Sequence, residues 1–137
     1  LAKYPKVNEF MEKTVDDAMK CGYVTTMFGR KRRIPELSSS NKILQSAGKR
    51  IAMNTPVQGT AADIIKIAMN KVYRALKAEV PSSKLVMQVH DELIVECDIN
   101  DKDLVASVLR REMESAIKLS VPLVAEANSG YNWLEAK

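Results

Sequence analysis

The 137-residue chain contains one histidine and two cysteines, and each scarcity closes off a kind of chemistry. A hydrolytic metal centre of His and Asp ligands needs several imidazoles, which His90 alone does not supply. Cys21 and Cys97 have neither zinc-ligand nor disulfide-framework spacing and read as buried thiols of a reducing compartment. There is no Walker-type phosphate loop, no dinucleotide fingerprint and no Gly-x-Ser-x-Gly elbow. Composition leaves a Ser-His-Asp triad open, but a histidine directly beside Asp91 is poorly placed to be oriented by it. No apolar run approaches the roughly 18–20 residues that span a bilayer. The opening Leu1-Ala-Lys-Tyr-Pro lacks the basic start and apolar segment of a signal peptide, and its Leu start suggests a piece of a longer protein.

What remains is an ordinary globular composition. Apolar residues make up 46% and charged residues 28%, with a net charge of +4 and a pI near 9.1. That mild basicity permits a polyanionic partner without demanding one. The length suits one domain or part of one.

The stretch Leu85-Val-Met-Gln-Val-His-Asp-Glu-Leu-Ile-Val-Glu96 reads as two strands joined by a tight turn. Leu85, Met87 and Val89 alternate with Val86, Gln88 and His90, the period of a strand facing a core. The turn falls at His90, Asp91 and Glu92. Two adjacent carboxylates between apolar strands are a poor choice for stability, since the strands favour burial while the charges favour water. Such a pair suits a hard divalent cation such as Mg²⁺, although neighbouring side chains diverge and a two-metal site needs a further carboxylate. The plain alternative is a hydrated turn.

Around this centre the periodicity predicts a helix over 4–20 with Val7, Phe10, Met11, Val15, Ala18 and Met19 on its apolar face, capped by Gly22. A hairpin over 22–35 follows, turning at Phe28-Gly29 and carrying Arg30, Lys31, Arg32 and Arg33 on its second arm. Those cations serve either to keep an edge strand soluble or to contact phosphates. A helical pattern over 42–79 contains Pro56, which predicts a kink or break. Its apolar face is Ala61, Ile64, Ile65, Ala68, Met69, Val72 and Leu76. Arg50, Asn54 and Gln58, four apart, share one face if the helix is continuous. Asn100 or Asp101 should cap a last helix with Leu104, Val105, Val108, Leu109, Met113, Ala116 and Ile117 inward. Val121–Ala127 reads as a final strand, and Trp133 is expected to pack on the body. The fold class is α+β: a small antiparallel sheet built from hairpins, packed against long helices.

Several stretches together are specific. Gln88-Val-His-Asp-Glu92 resembles the third catalytic motif of family A DNA polymerases, the bacterial DNA polymerase I type. Arg50-Ile-Ala-Met-Asn-Thr-Pro-Val-Gln-Gly-Thr-Ala-Ala-Asp63 resembles the helix preceding that motif. Gly22-Tyr-Val-Thr-Thr-Met-Phe-Gly-Arg-Lys-Arg-Arg-Ile-Pro35 is similar to the hairpin where fingers return to palm, and Val121-Pro-Leu with Gly130-Tyr-Asn-Trp133 to the family's C-terminus. The resemblance covers nearly the whole chain. It departs at Lys49, where the family usually has an acid before the helix arginine, and at Asn128, where Gly is common.

The resemblance implies a polymerase-palm fold, with 1–41 the end of the fingers and the fingers–palm junction and 42–137 the palm. It implies template-directed nucleotidyl transfer to a primer 3′-hydroxyl, in replication or repair, with two Mg²⁺ ions. Asp91 and Glu92 would be catalytic and metal-binding, Asp91 the firmer ligand. His90 would lie near the primer terminus, and Arg50, Asn54 and Gln58 would face the minor groove of the DNA. Minor-groove acceptors are common to all correct pairs, so donors there test pair geometry without reading sequence. The implied partners are primer–template DNA and deoxynucleoside triphosphates, with no membrane, in the bacterial cytoplasm. The family's other catalytic aspartate and its Arg/Lys fingers helix have no counterpart in these 137 residues, so the chain alone is expected to be inactive and to self-associate through an exposed sheet edge. A noncatalytic DNA-binding module and a structural remnant of a polymerase gene are the rival readings.

Overall fold

A computed structural model describes residues 3–137. Helix α1 spans Pro5–Cys21, strands β1 and β2 span Tyr23–Thr25 and Lys31–Arg33, and a 3₁₀ turn covers Pro35–Ser38. Helix α2 spans Lys42–Glu79, strands β3 and β4 span Lys84–Val89 and Glu92–Glu96, a second 3₁₀ turn covers Ile99–Asp101, and helix α3 spans Lys102–Glu114. The α+β class expected from the sequence is the one observed. The strands form two separate two-stranded antiparallel sheets, β1–β2 and β3–β4.

The chain divides into two compact units, the first ending at Ala61 and the second beginning at Ala62. In the first, α1 starts with Pro5, whose missing N–H costs a first turn nothing. It ends at Gly22, which at φ 80° donates its N–H to the Ala18 carbonyl, the expected cap. The core is small: Ala18, Val24, Ile34, Leu37 and Ala52, with Val15 and Ile51 against them. The α1 stripe is therefore used only near its end. Val7, Phe10 and Met19 of the expected face remain exposed.

Helix α2 is continuous through Pro56, so of the expected kink or break, the break does not occur. Proline removes one N–H and one bond to the Ala52 carbonyl. Ala52 is fully buried in the first core, with Ile51 packed beside it, so the turn that loses the bond is anchored by its own side chains. The beginning of α2 is capped by Asn41, whose Oδ1 accepts from the Ile43 amide at 2.9 Å.

In the second unit Val72, Leu76 and Val80 pack with Val105 and Val108 of α3, with Leu93, Val95 and Cys97 alongside. Of the expected faces, Ala68 and Ala116 are also buried, whereas Ala61 and Leu104 are exposed. Asp101 stands at the N-cap position of α3, as one of the two expected residues, but its side chain makes no capping bond there. Asp98 instead accepts from the Asn100 amide at 2.9 Å and caps the preceding 3₁₀ turn.

Two further expectations are corrected. Val121–Ala127 forms no ladder. Pro122 has no N–H to give, and the segment is tied down by side chains: Glu114 accepts from the Ala125 amide at 3.1 Å, and Arg110 donates to the Ala127 carbonyl at 3.3 Å. Trp133 is 39% exposed rather than packed away, with the Lys137 ammonium 4.9 Å from its ring centre.

Candidate nucleic-acid interface and carboxylate turn

The first unit gathers donors. Because α2 is unbroken, Arg50, Asn54 and Gln58 lie on one stripe and all three are exposed. They line one shallow depression together with Arg32 of β2, Thr55 and Ile51. An adjoining depression is lined by Arg30, Lys31 and Arg32, with Gln58 shared between the two. The basic hairpin arm and the polar helix face, which periodicity leaves as separate features, are thus neighbours on one surface.

The hairpin register places Tyr23 opposite Arg33, Val24 opposite Arg32 and Thr25 opposite Lys31. Val24 is buried while all three facing cations are exposed. The Lys31 ammonium sits 4.7 Å from the Tyr23 ring centre, a surface cation–π contact. Arg30 Nη2 donates to the Gly59 carbonyl at 3.3 Å and Arg32 Nη1 to Thr55 Oγ1 at 3.4 Å. Lys49 and Arg50 are both exposed, and the departure at Lys49 puts a solvated charge off the Arg50 stripe, since adjacent helical residues do not share a face.

In the second unit, Val89 pairs with Glu92, leaving His90 and Asp91 as a two-residue turn. His90 has φ 52°, among the described residues the one positive value outside glycine. Such a residue costs on the order of 1 kcal/mol, histidine being among the more tolerant types. The Gln88 side-chain amide donates to the His90 carbonyl and braces the turn. His90, Asp91 and Glu92 are all exposed, so the anticipated conflict between burial and charge is resolved in favour of water.

The strands also depart from simple alternation. Leu85 faces Val95 and Met87 faces Ile94, so Val86 is an extra residue, a β-bulge. Directly opposed residues share a face. Leu85 therefore lies on the side of Gln88, Leu93 and Val95, which meets the core, while Met87 and Val89 lie on the other side with Ile94 and Glu92.

Asp91 and Glu92 offer hard oxygen donors in solvent. Among the described residues they do not converge with a third acidic, His or Cys side chain. As a pair they match a hard cation in kind and supply part of its shell. Of the cysteines, Cys21 is exposed and its Sγ donates to the Tyr23 carbonyl at 3.1 Å. The half-buried Cys97 thiol is held above its ordinary pKa by burial first, then by Asp101 and Asp98.

Sequence reasoning missed Thr55, Gly59 and Thr60, which tie hairpin to helix. The signal was there: two threonines and a glycine, poor helix formers, cluster around a proline inside an otherwise strong helix.

Residues 1–135 match the model of "DNA polymerase family A". The chain is 50% identical over 135 residues to a DNA polymerase I of Caldicellulosiruptor bescii, covering 98% of this chain and 16% of that protein. It is 42% identical over 134 residues to a thermostable DNA polymerase I of Thermus caldophilus, with the same 98% and 16% coverage. It therefore spans about one-sixth of the length of these relatives. Among solved structures, the POL domain of Pol1 from M. smegmatis, in complex with DNA primer-template and dNTP, superposes with a TM-score of 0.88 at 40% identity. That match covers 94% of this chain and 23% of the other. A match along almost every residue, in sequence and in fold alike, places this chain in DNA polymerase family A.

Proposed function

We propose that this chain is the palm portion of a DNA-directed DNA polymerase, with residues 1–41 forming the end of the fingers and their junction with the palm. The reaction is attack of a primer 3′-hydroxyl on the α-phosphate of an incoming deoxynucleotide, with pyrophosphate leaving. The observation that carries this reading is the likeness, over 94% of the chain, to a polymerase domain solved with primer-template and dNTP.

The chain's residues then take distinct roles. Arg50, Asn54 and Gln58 donate to the minor-groove edge of the primer-terminal pairs, where N3 and O2 acceptors occur at every correct pair. Arg30, Lys31, Arg32 and Arg33 neutralise backbone phosphates beside them. His90 lies by the primer terminus, held in its turn by Gln88. Asp91, with Glu92 as neighbour, would hold Mg²⁺ through carboxylate oxygen. The donors present fit that ion in kind and fall short in number, in keeping with its habit of completing its shell from water, substrate phosphates and a further carboxylate. Held there, it would supply neutralisation of the charge on the transferring phosphoryl group.

The tests separate binding from chemistry. In the polymerase that contains this chain, Asp91→Ala is expected to lower primer extension by about 10³-fold or more, the loss of several kcal/mol of charge stabilisation, while duplex affinity stays within about twofold. Extension that survives Asp91→Ala overturns the catalytic assignment and leaves a metal-independent DNA-binding module. The 137-residue chain alone is expected to show no template-directed synthesis. Self-association of the chain through a sheet edge is checked by light scattering across concentration.

A further inference from the structure

The basic hairpin is held to α2 by a fit more particular than contact between two surfaces. The turn between β1 and β2 closes on itself: the Thr26 amide donates to the Arg30 carbonyl at 3.0 Å and the Gly29 amide to the Thr26 carbonyl at 2.9 Å. Its next amide, Met27, is turned outward and donates to Thr60 Oγ1 of α2 at 2.9 Å. Thr60 Oγ1 in turn donates to the Pro56 carbonyl one helical turn earlier. A hydroxyl has one hydrogen and two lone pairs. With the hydrogen committed to Pro56, a lone pair is left for Met27.

A second, steric observation concerns the neighbouring residue. A Cβ on Gly59 would lie 2.8 Å from Thr26 Cγ2, closer than such atoms approach. Thr26 is 6% exposed and has no room to retreat. Gly59 is thus a bare patch of helix on which the hairpin turn sits, and Thr60 is the hook beside it. The arginine bonds to the Gly59 carbonyl and to Thr55 Oγ1 are long, 3.3 and 3.4 Å, at the outer limit for a hydrogen bond. The Thr60 bond and the Gly59 fit seat the hairpin turn itself on the helix.

We propose that Thr60, seated by Gly59, is a positioning residue that sets the Arg30 and Arg32 side chains beside Asn54 and Gln58 as one duplex-binding surface. This rests on the reading that the first unit contacts DNA. Thr60 itself touches no DNA; it acts by fixing where the hairpin cations stand.

The test uses the 137-residue chain, a fluorescent primer–template duplex and a salt titration. Each phosphate contact adds about 0.9 to the slope of log affinity against log salt. Thr60→Val keeps the shape and removes the hydroxyl. It is expected to lower the slope by about 1–2 and the affinity by roughly tenfold near 0.1 M salt, with Thr60→Ser restoring both. A merely destabilising change would reduce the fraction of competent protein and leave the slope where it was. Hydrogen exchange at the Met27 amide gives an arm that needs no DNA: protection is lost in Thr60→Val and kept in Thr60→Ser. An unchanged slope in Thr60→Val, where Arg32→Ala does lower it, overturns the proposal and leaves the DNA-binding reading intact. Met27 protection that survives in Thr60→Val also overturns it. Absence of salt-dependent binding by the unsubstituted chain removes the DNA-binding reading, and the proposal falls with it.

Discussion

The two compact units carry opposite charge. Residues up to 61 hold eleven Lys/Arg against five Asp/Glu, a net +6, while residues 62–137 hold ten against twelve, a net −2. The modest overall +4 conceals this segregation. One unit is suited to a polyanion, with its cations collected on a hairpin and a helix face. The other offers carboxylates on a turn, suited to a cation. Charge segregated by unit says more about partners than the sum does, because binding responds to local field rather than net charge.

The comparison can be broken first through the cores. Ile34 in the first unit and Leu76 in the second are 1% and 2% exposed. Ile34→Ala and Leu76→Ala should each cost about 2–5 kcal/mol by denaturant titration. Amide exchange then reads the units apart: Ile34→Ala should lose protection in the β1–β2 hairpin while β3–β4 keeps its own, and Leu76→Ala the reverse. Loss in both from either change would mean that the two units unfold as one.

A smaller effect sharpens the charge difference. Arg32→Ala combined with Arg50→Ala should weaken duplex binding by about 10- to 100-fold near 0.1 M salt and lower the salt slope by about 2. Asp103→Asn with Glu126→Gln, neutralising exposed acids of the second unit, should leave that slope unchanged. Equal responses would show that overall charge, not its placement, governs binding.

The smallest effect concerns the thiols. The exposed Cys21 should react with a disulfide reagent before the half-buried Cys97. The Cys97 pKa is raised by burial above that of an unfolded thiol. Between the unfolded and folded values the unfolded chain has released a proton that the folded chain retains. Stability from this group is therefore full below the unfolded pKa and is lost as pH rises toward the folded one. Cys97→Ser should flatten the alkaline limb of stability measured against pH.

Much of the fold was legible because local chemistry and tertiary packing agree. Gly22 after an apolar stripe, Phe28-Gly29 between β-formers, and polar groups at His90 and Asp91 each name a cap or turn that the structure contains. Pro56 forecasts a kink or a break from its own geometry, and the helix runs on through it without a break. The failure lies where distant packing decides. Val121–Ala127 has strand composition, yet a strand needs a partner, and side chains from α3 take up its backbone groups instead. The candidate surface was half legible: spacing puts Arg50, Asn54 and Gln58 on one stripe, while only the folded hairpin brings Arg32 beside them. The cluster of Thr55, Gly59 and Thr60 around Pro56 marks Thr60 as unusual, but its partner, an amide 33 residues away, is legible only in the fold.

The bulge at Val86 decides which side chains of β3 meet the core. Upstream of Val86 the strand presents one set of side chains to the core, and downstream the opposite set. Deleting that residue would make Leu85 and Met87 neighbours opposite Val95 and Ile94, a regular ladder in which every remaining side chain keeps its present face. Keeping the residue while flattening the bulge in step with Leu85 would instead bring Met87 and Val89 onto the core side and carry the brace Gln88 across to the opposite face. Homologous chains that preserve the His90-Asp91 turn should therefore be able to lose a residue at 86 without any other side chain of β3 changing face.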